Sequence, residues 1–70
     1  MKQYYVYILR CSDGSYYTGV TNSIEERLSE HELGADPKSY TFKRRPVTLV
    51  YQHMFSQVEN AIAAEKKIQG

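Results

Sequence analysis

The chain has 70 residues, 41% of them hydrophobic and 24% charged, and a formal net charge of +1 at pH 7. A chain of this length forms one domain with a small core, and no apolar run approaches the roughly 20 residues of a membrane span. The single cysteine, Cys11, excludes an internal disulfide and fits a reducing compartment, so we expect a cytoplasmic protein with no membrane partner.

The first predicted element is a β-hairpin over residues 4–21. Residues 4–10 and 16–21 are rich in aromatic and β-branched side chains, and the segment CSDGS between them supplies turn residues. Tyrosine is especially frequent in both segments. Aromatic residues are favoured on a pleated, half-buried surface, so most of these phenols are expected to fill a thin sheet.

The length of the turn decides which side chains share a face of the hairpin. A two-residue loop and a three-residue loop differ by one step in register, which moves every side chain of a strand to the other face. Only a three-residue loop at 12–14, with Gly14 left-handed, places Tyr7, Tyr17 and Gly19 on one face. We therefore expect Tyr7 opposite Gly19, with free space beside the phenol.

The segment TNSIEERLSEHELG predicts an α-helix with two different faces. Asn22 or Ser23 is suited to the N-cap, and Gly34 is suited to end the helix. At about 100° per residue, the apolar side chains share one face with Arg27 and His31, and the acidic side chains cover the rest. The inward face is therefore expected to carry a cation and an imidazole.

The second half of the chain predicts a loop, a strand and a helix. Residues 35–46 are polar, contain both prolines and carry the basic run KRR, which favours a surface loop. Residues 47–54 show the apolar alternation of a strand, and Ser56 to Glu59 form a capping box that opens a helix ending at Gln69. The β-β-α-β-α order predicts an α+β domain, a small three-stranded antiparallel sheet flanked by helices.

Glu65 interrupts the apolar stripe of the last predicted helix. The stripe consists of Val58, Ala61, Ile62 and Ile68, and Glu65 projects into its middle. Removing an unpaired carboxylate from water costs several kcal/mol, so this side chain needs a cation, a metal ion or a water-filled cleft. The alternative is that its carboxylate extends to solvent near the helix end.

Two short motifs of the hairpin resemble the signatures of the GIY-YIG nuclease superfamily. Tyr5-Val6-Tyr7 corresponds to the first and Tyr17-Thr18-Gly19 to the second, with Tyr5 in place of the first motif's glycine. NSIEERLSEH resembles the segment with the family's helical arginine and histidine, and AIAAEKKIQG resembles the segment with its metal-binding glutamate. The similarity covers nearly the whole chain and is closest to the small stand-alone bacterial members. We expect one domain over residues 1–70, truncated where such members usually continue with a further basic segment.

The resemblance implies divalent-metal-dependent hydrolysis of DNA phosphodiester bonds by an endonuclease with the GIY-YIG fold. Mg²⁺, or Mn²⁺ in its place, is the implied cofactor, and DNA is the implied partner of a chain taken as a monomer. Because the chain has no added domain to recognise a long site, we expect a structure-selective enzyme of DNA repair or recombination. The catalytic residues carried over from the family's motifs are Tyr7, Tyr17, Arg27, His31 and Glu65, with Glu65 as the metal ligand.

Each of these residue types suits phosphodiester hydrolysis on chemical grounds. The carboxylate of Glu65 is a hard oxygen ligand of the kind Mg²⁺ prefers, and the planar guanidinium of Arg27 matches phosphate oxygens. We expect Tyr17 to activate the attacking water, Tyr7 to orient water or phosphate, and His31 to relay a proton. Ionising an ordinary phenol at pH 7 costs about 4 kcal/mol, which favours a concerted transfer to His31 over a free phenolate. The order of the proton transfers stays open.

Two other functions are compatible with the sequence. One is a nucleic-acid-binding module with the nuclease fold and little activity, which would show metal-independent and strongly salt-dependent binding. The other is a small structural or protein-interaction domain, which the near-neutral net charge favours. The side chains that we expect to contact phosphates are Lys43, Arg44, Arg45, Lys66 and Lys67.

Overall fold

The fold is that of an α+β domain in which two helices accompany a three-stranded antiparallel sheet, as predicted. The computed structural model describes residues 3–69, so the ends of the predicted domain, residues 1–2 and 70, lie outside the described part. The sheet has the order β2-β1-β3, with β1 in the centre. The elements in chain order are β1 Tyr4–Arg10, β2 Tyr16–Thr21, α1 Ile24–Leu33, a 3-10 helix Phe42–Arg44, β3 Thr48–Phe55 and α2 Val58–Gln69.

The hairpin has the register expected from a three-residue turn. Tyr7 lies opposite Gly19, and Leu9 lies opposite Tyr17. Gly14 has φ of 85°, the left-handed conformation that a glycine adopts without strain. Side chains at alternate positions share a face, so the two phenols and the glycine lie on the same face of the hairpin.

Gly19 allows the Tyr7 ring to lie directly against the backbone of β2. A Cβ atom built at position 19 would be 2.5 Å from the Tyr7 hydroxyl oxygen and 2.6 Å from the ring carbon that carries it. Only glycine therefore fits beside this phenol without a movement of the ring. The ring position in turn decides where the Tyr7 hydroxyl lies.

The core is small and lies on both faces of the sheet. Tyr7, Leu9, Cys11 and Val47 form one buried cluster, while Val6, which the strand alternation places on the opposite face of β1, is also fully buried. Helix α2 contacts all three strands. Within residues 3–69, neither helix is long and apolar enough to cross a membrane.

Helix α1 begins and ends at predicted capping residues. The Ser23 side chain accepts a hydrogen bond from the Glu26 N–H, which identifies Ser23 rather than Asn22 as the N-cap. Gly34 has φ of 68°, and its N–H reaches the carbonyls of Glu30 and His31. These caps place His31 in the last turn of the helix, where its side chain is buried.

Two local predictions are wrong. The loop at 35–46 is not entirely on the surface, because Thr41 is only 1% exposed and hydrogen bonds satisfy its hydroxyl group. The last helix begins at Val58, and the N–H groups of Asn60 and Ala61 donate to the carbonyl of Gln57. The cap therefore lies one residue after Ser56.

Gly19→Ala is expected to lower the free energy of unfolding by about 1–3 kcal/mol, since the added methyl group forces the Tyr7 ring out of its position. Chemical denaturation measures this change, and the NMR signals of the Tyr7 ring report the displacement. Unchanged stability with unchanged Tyr7 signals would contradict the close fit.

Gly14→Ala is the matched control for this substitution. A Cβ atom at position 14 meets nothing within 4 Å, so its cost comes from the left-handed backbone alone, about 1–2 kcal/mol. We expect Gly14→Ala to leave the Tyr7 ring signals in place.

Candidate active site

A cavity of about 400 Å³ lies between the end of α1 and the loop that follows it. Arg27 and His31 reach it from α1, and Tyr17 reaches it from β2. Tyr40 and Thr41 line it from the loop. The cavity is thus enclosed by residues from three separate parts of the chain, and most of its named walls are polar or aromatic.

A chain of hydrogen bonds runs beside the cavity from the sheet to the loop. The Tyr7 hydroxyl lies 3.3 Å from Nε2 of His31, and Nδ1 of His31 lies 2.6 Å from the hydroxyl oxygen of Thr41. Thr41 continues to the hydroxyl of Ser39 at 3.2 Å. His31 is 8% exposed and Tyr7 is 3% exposed, so both side chains are shielded from solvent. The two hydrogen bonds of the imidazole give each ring nitrogen of His31 a partner within the protein.

The environment of His31 favours the neutral imidazole. Burial lowers the pKa of His31 below its ordinary value of 6.5, and the positive charge of Arg27 lowers it further, against an opposing effect of Glu30. A neutral imidazole has one donor and one acceptor nitrogen. Either Nδ1–H donates to Thr41 while Nε2 accepts from Tyr7, or Thr41 donates to Nδ1 while Nε2–H donates to Tyr7.

The Tyr7 phenol is held in its protonated form. Burial raises its pKa most, and the charges of Tyr17 and Glu65 raise it further, as does a hydrogen-bonding interaction with Tyr17. Arg27 acts in the opposite direction. Tyr7 therefore serves as a hydrogen-bonding hydroxyl rather than as a phenolate at neutral pH.

Aromatic rings surround the imidazole. The Tyr17 ring lies 5.2 Å from the His31 ring and 6.3 Å from the Tyr7 ring, measured between centroids. On the loop side, Tyr40 stacks on Tyr17 with centroids 6.0 Å apart and an angle of 25° between the planes. These contacts hold Tyr17 beside the imidazole at the wall of the cavity.

The structure brings together four of the five predicted catalytic residues closely. Tyr17, Arg27 and His31 line the cavity, and Tyr7 lies behind them, bonded to His31. Arg27 is 48% exposed, which leaves its guanidinium accessible, and it forms an ion pair with Glu30 at 3.6 Å. The half-buried Glu65 does not line this cavity, and its link to the group is the electrostatic effect on Tyr7. The catalytic roles remain predictions.

The predicted phosphate-contacting residues fall into two groups. Arg44 binds Asp13 at 3.0 Å, and Arg45 donates to the Phe42 carbonyl at 2.9 Å while its guanidinium lies over the Phe42 ring. Both guanidinium groups are therefore engaged within the protein. The second group consists of the lysines, Lys43, Lys66 and Lys67, whose side chains are exposed, as is that of Arg45.

Glu30, Tyr40 and Thr41 are among the lining residues that were not predicted from the sequence. Glu30 follows Arg27 by one helical turn, and this spacing was a signal for the ion pair. Thr41 and Tyr40 lie in an irregular loop, where no periodicity indicates which side chains turn inward. Their contacts with His31 and Tyr17 depend on the tertiary fold alone.

The described residues contain no closed metal site, so a divalent cation bound here would keep much of its water. Among residues 3–69, no three His, Cys, Asp or Glu side chains are grouped to hold a metal ion. Mg²⁺ is usually bound by one or two carboxylates, with waters and substrate phosphates completing its shell. Glu65 can supply one such carboxylate, and its negative charge acts on Tyr7, whose pKa it raises. Its role as the metal ligand stays a prediction.

His31 is expected to make stability depend on pH. The unfolded chain binds a proton at His31 near pH 6.5, whereas the folded chain does so only at lower pH. The free energy of unfolding therefore falls as pH is lowered below about 7, until folded His31 is protonated as well. Denaturation between pH 5 and 8 is expected to give a flatter curve for His31→Gln.

His53→Gln is the control, since His53 is exposed on β3. We expect it to retain the wild-type slope over the same pH range. A slope that His31→Gln leaves unchanged would show that the buried imidazole is not the group responsible.

Comparisons with known proteins agree with this fold and with the motifs. The family model described as the GIY-YIG catalytic domain matches residues 3–70. A UPF0213 protein of Staphylococcus haemolyticus is 48% identical over 68 residues, which are 97% of this chain and 82% of the relative. A UPF0213 protein of Staphylococcus aureus is 44% identical over the same shares of each chain.

Two solution NMR structures are also similar. A UPF0213 protein of Bacillus halodurans matches with a TM-score of 0.59 and 39% identity, over 96% of this chain and 70% of that protein. A protein of E. faecalis matches with a TM-score of 0.66 and 38% identity, over 99% of this chain and 73% of that protein. The chain therefore belongs to the GIY-YIG family, whose catalytic domain indicates a nuclease that acts on nucleic acid with the help of divalent metal ions.

Proposed function

We propose that this protein is a divalent-metal-dependent endonuclease that hydrolyses phosphodiester bonds in DNA. The observation that carries the proposal is the hydrogen bond between the Tyr7 hydroxyl and Nε2 of His31, beside a cavity lined by Tyr17 and Arg27. A neutral imidazole bonded to a phenol offers a destination for a proton. An accessible guanidinium at the same cavity offers a site for a phosphate.

Arg27 is the residue proposed to bind the phosphate next to the scissile bond. Its guanidinium matches two phosphate oxygens, and its ion pair with the exposed Glu30 is weak enough to be exchanged for a phosphate. Phosphate binding also removes part of the positive field that lowers the pKa of His31. The imidazole then becomes a better proton acceptor at the moment when the substrate is in place.

The proposed proton path leads from the cavity to His31 through both phenols. Tyr17 faces the cavity and accepts a proton from the attacking water while its own proton passes to Tyr7. The Tyr7 proton passes to Nε2 of His31, which becomes an imidazolium whose Nδ1–H donates to Thr41. No phenolate forms at any step of this proton transfer, which avoids the free-energy cost of ionising a buried phenol.

Glu65 is proposed to hold the divalent cation, with Mg²⁺ or Mn²⁺ as the ion. When bound, such a cation stabilises the negative charge that develops on the phosphoryl and leaving oxygens. Glu65 itself supplies one carboxylate and leaves the remaining ligand positions to water and phosphate. Its position at the partly buried face of α2 keeps this charge within electrostatic reach of Tyr7.

The proposed substrates are branched or flapped DNA molecules of repair or recombination. A domain of this size offers a short contact surface, so the shape of the DNA rather than a long sequence is the feature available for recognition. The exposed lysines can approach the backbone of such DNA, at positions Lys43, Lys66 and Lys67.

A cleavage assay with branched and flapped DNA in Mg²⁺ or Mn²⁺ tests the proposal. Wild-type protein is expected to cleave, and Glu65→Gln is expected to lower the rate by about 10²-fold or more, because the neutral amide is a poor ligand for the cation. Glu59→Gln removes the same charge from an exposed position in the first turn of α2. We expect it to retain the wild-type rate.

Equal rates for Glu65→Gln and Glu59→Gln would contradict the role of Glu65. If the wild-type protein cleaves none of these substrates, the endonuclease assignment fails. Metal-independent, salt-dependent DNA binding that survives Glu65→Gln would then identify the chain as a binding module with the nuclease fold.

A further inference from the structure

Arg44 connects the hairpin turn to the loop that lines the cavity. Its Nε donates to the Asp13 carboxylate at 3.0 Å, and its backbone carbonyl accepts from the Ser12 N–H at 2.9 Å. The side chain of Ser15 also binds Asp13, at 2.6 Å, so the carboxylate is held in place on the turn. Arg44 is thereby attached by two bonds to a segment 31 residues earlier in the chain.

The same guanidinium holds Tyr40. Nη1 of Arg44 donates to the Tyr40 carbonyl at 2.7 Å, and the guanidinium carbon lies 4.0 Å from the centroid of the Tyr40 ring. One side chain therefore fixes both the backbone and the ring of this residue. The ring stacks in turn on Tyr17, which faces His31.

We propose that Arg44 is a positioning residue that holds Tyr40 against Tyr17 and Thr41 beside His31. The inference deepens the proposed function, on which its kinetic part rests. It assigns to Arg44 a role different from phosphate binding, because Nε and Nη1 already donate to groups of the protein. The backbone N–H of Arg44 also donates to the Thr41 carbonyl at 3.0 Å, which connects Arg44 to the segment where Thr41 is buried.

A lysine cannot replace this arginine. The guanidinium is planar, so it can lie over the Tyr40 ring while two of its N–H groups donate in different directions within the same plane. An ammonium group carries the same charge on a single nitrogen and cannot reach Asp13 and the Tyr40 carbonyl in this way. Arg44→Lys therefore separates the geometry of the residue from its charge.

The experiment compares Arg44→Lys with Lys43→Gln by kinetics on flapped DNA and by NMR of the free proteins. Arg44→Lys is expected to lower kcat about 10-fold or more with KM within about twofold, because Tyr17 and His31 lose their alignment. In the free protein it is expected to weaken the ring-to-ring NOEs between Tyr40 and Tyr17 and to shift the His31 ring signals. Lys43→Gln removes an exposed charge and is expected to leave the NOEs and the His31 signals unchanged.

Asp13→Asn is the second variant, and it weakens the attachment to the turn while leaving Arg44 in place. It is expected to move the same NMR signals in the same direction, by a smaller amount. Wild-type NOEs and His31 signals in both Arg44→Lys and Asp13→Asn would overturn the inference. A higher KM with unchanged kcat and unchanged NMR signals in Arg44→Lys would also overturn it, in favour of a phosphate contact. The NMR comparison needs no cleavage, so it stands even if the endonuclease assignment fails.

Discussion

The contact between the Tyr7 ring and Gly19 is the constraint on which the candidate site depends. Because β2 has no side chain at this position, the ring lies close against the strand, with its hydroxyl 3.3 Å from Nε2 of His31. Helix α1 completes the contact from the other side, since its caps place His31 in the last turn. The hydrogen bond between Tyr7 and His31 therefore depends on the hairpin register, on Gly19 and on the position of the end of α1.

The chain of polar groups beyond this bond is buried, and a domain of 70 residues has little stability to lose. Its burial is tolerable because each group has a partner: within residues 3–69, no buried side-chain nitrogen or oxygen lacks one. The same burial lowers the pKa of His31 and raises that of Tyr7. The features that make the network costly are therefore those that keep the imidazole neutral and the phenol protonated.

Much of the fold follows from local signals, and much of the site does not. The turn at Gly14, the pairing of Tyr7 with Gly19 and the caps of α1 are consequences of residues close in sequence, so they could be predicted. The burial of Thr41 could not, because its partner His31 lies on another element and the loop between them has no periodicity. Arg44 has the charge of a phosphate ligand, and only its tertiary contacts distinguish it from one.

The tautomer of His31 tests the proposed relay most directly, because the path requires an unprotonated Nε2 that accepts from Tyr7. A long-range ¹H–¹⁵N NMR spectrum at neutral pH is expected to show a neutral ring with its proton on Nδ1, directed at Thr41. In Thr41→Val, which removes the hydroxyl but keeps the shape, this preference is expected to disappear. A wild-type ring with its proton on Nε2, or one that is unaffected by Thr41→Val, would contradict the account.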